Sequence, residues 1–175
     1  KFPKMILERV REAVGPDFPV DMRISAVECV EGSIEFEETL KFIKLVEPLI
    51  DTVQISSGLD MNREGNVHMV TTNFKEHMPN AKYARIVKQN VNIPVSVVGA
   101  VMSPWEAEEL IASGTVDLVA FGRSFIADPD WPNKAKDGKA DDIVPCIRCM
   151  QCYHISTNRK NVGCTVNPRF TNESF

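Results

Sequence analysis

Four of the five cysteines in this 175-residue chain crowd into one run, CIRCMQCYHISTNRKNVGC, from Cys146 to Cys164. The spacing is C-x2-C-x2-C-x11-C. Gaps of two residues let successive thiolates converge on one metal centre, and the fourth ligand returns from a loop. Disulfides fit poorly with thiols this close in a chain that shows no secretory signal. Zinc sites usually come as two separated cysteine pairs or include histidines, and His154 beside the run keeps zinc as an alternative. Three cysteines in one triplet with a fourth standing alone favour a cubane [4Fe–4S] cluster on Cys146, Cys149, Cys152 and Cys164. Cys29 stands apart and reads as a small apolar or loop thiol.

A second set of candidates follows from strand ends. VGAVMSP and FGRSF each place a glycine where a β-rich run stops and a helix begins. Backbone N–H groups exposed at Gly99, Ala100 and Gly122 can cradle a phosphate, and Arg123 adds charge. The plain alternative is that each glycine only makes a turn. Arg23 sits inside a strand, where a cation needs either a carboxylate partner or an electron-rich ligand. The polar stretch LDMNREGNVHMVTTNFKEHMP reads as a long loop, either functional or a surface insertion. His68 and His77 within it read as solvated. Met61, Met69 and Met78 line a pocket or pack the loop. Trp105 and Trp131 read as packing residues.

The elements that must position these groups alternate. Val20–Ser25, Thr52–Gly58, Ile93–Ala100 and Val116–Gly122 read as strands, the best of them near-continuous apolar runs. Helical spacing marks the opening segment through Ile6, Leu7, Val10 and Val14, then Glu37–Val46 and Asn80–Gln89. Ser103, Pro104 and Glu106 outline a capping box for a helix stopping at Gly114, and Asp130–Lys136 forms one more short helix. Strands alternating with helices predict an α/β fold with a parallel sheet covered on both faces. The sheet is either doubly wound or part of a (β/α)8 barrel; a whole barrel needs about 250 residues, so four strands make half of one. The reading divides the chain into a half barrel over 1–140 and a cluster-binding segment over 141–175.

Hydrophobic residues make up 43% of the chain, enough for a packed core. The net charge of −4, with basic residues scattered, argues against nucleic acid. No apolar stretch reaches the roughly 20 residues of a membrane span, and a cytoplasmic location is expected.

MRIS, VVGAV, FGRSFIADPDWPNKA and CIRCMQCYHI…GCTVNPR follow one another in a familiar order and spacing. The chain resembles the second half of the flavin barrel of the Old Yellow Enzyme relatives. Within them it is similar to the iron–sulfur branch of 2,4-dienoyl-CoA reductase, 2-enoate reductase and trimethylamine dehydrogenase. The resemblance covers nearly the whole chain. It implies FMN at the barrel mouth, with Arg23 at the pyrimidine edge and Gly99, Ala100, Gly122 and Arg123 at the phosphate. It implies a [4Fe–4S] cluster on the four cysteines, relaying electrons from NAD(P)H through an FAD held in a further domain. Reduced FMN then delivers hydride to the activated C=C bond of an unsaturated small molecule. Dienoyl-CoA reductases carry a histidine soon after the strand matched by TVQISSG, and here Asn62 stands near that position. Amine dehydrogenation and a zinc-stabilised, non-catalytic module are the alternatives. A half barrel exposes strand edges, so the isolated chain is expected to be inactive, to bind FMN weakly, and to oligomerise or require a partner fragment.

Overall fold

The computed structural model describes residues 1–61 and 63–172; Asn62 lies outside them. Four strands, β1 (Asp21–Ser25), β2 (Thr52–Ser56), β3 (Val95–Val98) and β4 (Leu118–Ala120), form one parallel sheet in the order β1-β2-β3-β4. Ile24 pairs with Ile55, Ile55 with Val97, and Val97 with Val119. Doubly wound sheets reverse their strand order at a switch point. This order has no reversal, and right-handed crossovers then put every connecting helix on the same face. That is the arrangement of a barrel wall.

The two faces of the sheet differ, because side chains alternate along each strand. Val53, Ile55, Val95 and Val97 are sealed on one face. Above them pack the apolar sides of α2 (Phe36–Val46), α4 (Ala81–Lys88) and α5 (Pro104–Ala112), through Ile43, Val46, Ala84, Val87 and Leu110. The register puts Arg23, Gln54, Ser96 and Leu118 together on the other face. Among the described residues that face is the more open one: Leu118 is half exposed and Arg23 exposed, although Ser96 is buried. The sheet is therefore covered unequally on its two faces.

Helix starts follow local chemistry. Ser103 Oγ accepts the N–H of Glu106 at 3.2 Å, and Glu106 returns a bond to the Ser103 N–H, completing the capping box of α5. Glu35 and Glu38 do the same for α2. Helix α1 (Phe2–Val14) forms as its spacing predicts, yet none of its residues is buried.

Two helices escape the sequence reading. The polar stretch after β2 contains α3 (Arg63–Met69), folded back so closely that a Cβ on Gly58 would lie 2.3 Å from the Met69 nitrogen. With φ +85° as well, only glycine fits there. The cysteine run contains α8 (Gln151–Thr157). Between them lie α6 (Arg123–Ala127) and α7 (Trp131–Lys136). Trp131 is buried against Phe121, ring centroids 4.6 Å apart. Trp105 is 72% exposed and is no packing residue. No described helix is long and apolar enough to cross a membrane.

Candidate functional site

A cavity of about 590 Å³ opens at the C-terminal ends of the strands. Arg23, Gly99, Ala100, Gly122 and Arg123, chosen from strand-end position, all line it. Cys146 and Cys152 line it too, so the two candidate sets meet at one place. Sequence reasoning missed Thr71, Arg148, Tyr153 and Phe170, which complete the wall. Thr71 comes from the stretch read as a loop. Arg148 lies between two of the cysteines, a position that could have drawn attention.

The backbone around β3 is shaped for this role. Gly99 has φ +125° and Ala100 φ +50°, consecutive left-handed residues at the strand end. A Cβ on Gly99 would sit 2.8 Å from Asn80 Nδ2, which donates to the Val98 carbonyl at 2.6 Å. Gly99 is thus required by the fold. Gly122 is different: its φ is −128°, and nothing lies within 4 Å of where a Cβ would stand. The space over Gly122 is an open cradle on the cavity wall.

Three arginines face the cavity without a carboxylate. None of the ion pairs among the described residues includes Arg23, Arg123 or Arg148. Arg23, expected to need a partner, lies exposed on the sheet's edge strand and donates only to Ser56 Oγ at 3.2 Å. Arg123 donates from Nη2 to the Thr71 carbonyl at 2.8 Å and from Nη1 to Met150 Sδ at 3.0 Å. Arg148 is 8% exposed and donates to the carbonyls of Lys75, at 2.9 Å, and Glu76. A buried guanidinium matched only by carbonyls is costly without an anion nearby.

The four clustered cysteines are free thiols and border one small cavity of about 10 Å³. Arg148 (φ +51°) and Met150 (φ +65°), both left-handed, flank Cys149. Two non-glycine residues in this region carry strain. Among the described residues, no three histidine, cysteine or acidic side chains stand so as to hold a single ion. A tetrahedral zinc needs sulfurs about 3.8 Å apart, given Zn–S near 2.3 Å. His154 is exposed and engaged with Asn158. The Cys149 thiol is held below its ordinary pKa by its hydrogen bond with Thr165, with help from the Gln151 N–H and Arg123. Burial pushes the Cys152 thiol up, against the pull of the Tyr153 N–H and Arg123.

Asp128 ties this segment down. It is buried, accepts from Lys134 Nζ at 2.7 Å and from the Val144 N–H at 2.9 Å, and so fixes the approach to Cys146. Burial alone would raise its pKa, but those bonds outweigh it and the carboxyl lies below the usual range.

Other candidates fall elsewhere. His77 is exposed, as expected, and pairs there with Glu106. His68 and Cys29 border a separate cavity of about 180 Å³ with Lys75 and Lys82. Met69 lines the main cavity, while Met61 is 86% exposed.

The family described as NADH:flavin oxidoreductase / NADH oxidase matches residues 1–142. The chain belongs to this family. It is 38% identical over 172 residues to an NADH oxidase of Thermoanaerobacter brockii, a match covering 96% of this chain and 26% of that protein. It is 28% identical over 182 residues to a cinnamate reductase of Clostridium sporogenes, covering 96% of this chain and 27% of that protein. A solved complex of 2-naphthoyl-CoA reductase with 2-naphthoyl-CoA superposes with a TM-score of 0.91 at 31% identity, covering 98% of this chain and 26% of that one. The chain spans about a quarter of the length of these relatives. As a member of this Old Yellow Enzyme-like family, it carries the parallel α/β architecture of an FMN-dependent oxidoreductase. The family match ends at residue 142, and the matches to relatives that cover 96% of the chain extend into the cysteine run beyond it.

Proposed function

We propose that this chain is the second half of a (β/α)8 flavin barrel, with a cysteine-rich segment holding a [4Fe–4S] cluster. The parent protein would be a cytoplasmic, NAD(P)H-dependent reductase of activated C=C bonds in enoate- or enoyl-CoA-type small molecules. The observation that carries this is the shared wall: Arg23, Gly99, Ala100, Gly122, Arg123, Cys146 and Cys152 line one cavity. The residues fit the groups. Three arginines without carboxylates supply charge for a phosphate and an electron-rich ring. The open cradle at Gly122 leaves room for a phosphate against the backbone. The four thiols border one small cavity, which puts all four candidate ligands in one neighbourhood.

Gly99 with Ala100 and Gly122 with Arg123 would hold the FMN phosphate. Arg23 would face the pyrimidine edge and stabilise negative charge there. Cys146, Cys149, Cys152 and Cys164 would ligate the cluster. When bound, FMN supplies hydride transfer and the cluster supplies single-electron relay. An FAD and NAD(P)H site would belong to a further domain. The cinnamate reductase and 2-naphthoyl-CoA reductase named above support the reductase assignment.

The test is to purify the chain without oxygen and assay iron, acid-labile sulfide, zinc and flavin together. About four irons and four sulfides per chain are expected. One zinc without sulfide would overturn the cluster reading. For the parent protein, reduction of cinnamate-like acids is expected; oxidation of amines without it would replace the reductase by an amine dehydrogenase.

A further inference from the structure

We infer that Arg123 is a cation shared between two redox sites: besides facing the flavin cavity, it raises the reduction potential of the cluster held by the four cysteines. This rests on the cluster reading above. Arg123 borders both the large cavity and the small cavity enclosed by the cysteines. Its Nη1 lies 3.0 Å from Met150 Sδ, and Met150 stands between Cys149 and Cys152. Its Nη2 is taken by the Thr71 carbonyl, which fixes the guanidinium between the two cavities. Among the described residues no carboxylate neutralises it. Arg148, the other inner arginine, is directed instead at the carbonyls of Lys75 and Glu76.

Reduction of the cluster adds one electron, with no proton, to a centre that already bears the charge of four thiolates. A fixed cation in a half-buried setting is weakly screened and stabilises the more negative state more. Net charge around a cluster is one of the levers that set its potential. A residue serving only the flavin phosphate would leave the cluster untouched in flavin-free protein, and this separates the two roles.

The experiment uses the full chain, freed of flavin and reconstituted with iron and sulfide. The cluster potential is read by spin resonance during titration with dithionite. Arg123→Met is expected to shift the potential down, and Arg123→Lys to stay near the parent value. Should Arg123→Met fail to assemble a cluster, Arg123→Gln, which keeps a donor for the Thr71 carbonyl, makes the same comparison. An unchanged potential in the neutral variant overturns the inference while leaving the cluster in place. Failure of the unsubstituted chain to assemble any cluster overturns the cluster reading itself.

Discussion

Gly99 and Gly122 look alike in sequence, each closing a strand, but the structure gives them separate reasons to be glycine. Gly99 needs its left-handed backbone and has no room for a Cβ beside Asn80. Gly99→Ala is expected to cost about 1–3 kcal/mol, seen as a lower denaturation midpoint. Gly122 has neither constraint. Gly122→Ala should leave stability within about 0.5 kcal/mol of the parent. It should weaken flavin binding at least several-fold in the parent protein, measured by flavin fluorescence. A stability loss equal to that of Gly99→Ala would mean that Gly122 serves the fold and not a ligand. Asp128 offers a pH test at the same scale. Its folded pKa lies below the unfolded value, so its contribution is present above the unfolded carboxylate range near pH 4 and is lost as pH falls through the folded pKa. Asp128→Asn should therefore lower the urea midpoint at pH 7, by the equivalent of about 2 kcal/mol. The gap between variant and parent should narrow on acidification.

At the scale of elements, α5 is the clearest case of local sequence dictating structure. Ser103, Pro104 and Glu106 supply cap, first-turn proline and reciprocal bond, and the helix begins where they say. Ser103→Ala should cost about 1 kcal/mol of stability, readable as a shift in the thermal midpoint. Glu106 is also shared with His77 across to the long segment. All four strands and the helices α1, α2, α4, α5 and α7 were legible for the same reason: their apolar periods and caps are local signals. Helices α3 and α8 were not. LDMNREGNVHM holds few apolar residues, and its helix is fixed by close backbone approach at Gly58, which no periodicity announces. In the cysteine run, ligand spacing masked a short helical turn. The site itself was legible in its strand-end residues and cysteines, because parallel folds place ligands there. Thr71 and Arg148 were not, since their position depends on how the long segment meets the cysteine loop.

For the whole molecule, the unequal faces of the sheet carry the most consequence. A sheet sealed on one face by helices and more open on the other, where Leu118 and Arg23 stand exposed, would on the proposed half-barrel reading face a second wall. The β1 edge is open as well. Beside it Ile6, Leu7, Met22, Ile24, Ile34 and Phe42 surround a cleft of about 540 Å³, and α1 leaves Phe2, Met5 and Ile6 exposed. An unpaired strand edge continuous with apolar surface is a template for association. The isolated chain is therefore expected to bury this face against a second copy of itself, giving sedimentation that depends on concentration. Ile6→Lys places a charge on the exposed side of α1, where lysine is a good helix former. It should leave helical content unchanged and shift the population toward monomer. A chain that sediments as a monomer at all concentrations, with Ile6 in place, would mean that the open edge and cleft are tolerated in water and that barrel closure is not what this surface is waiting for.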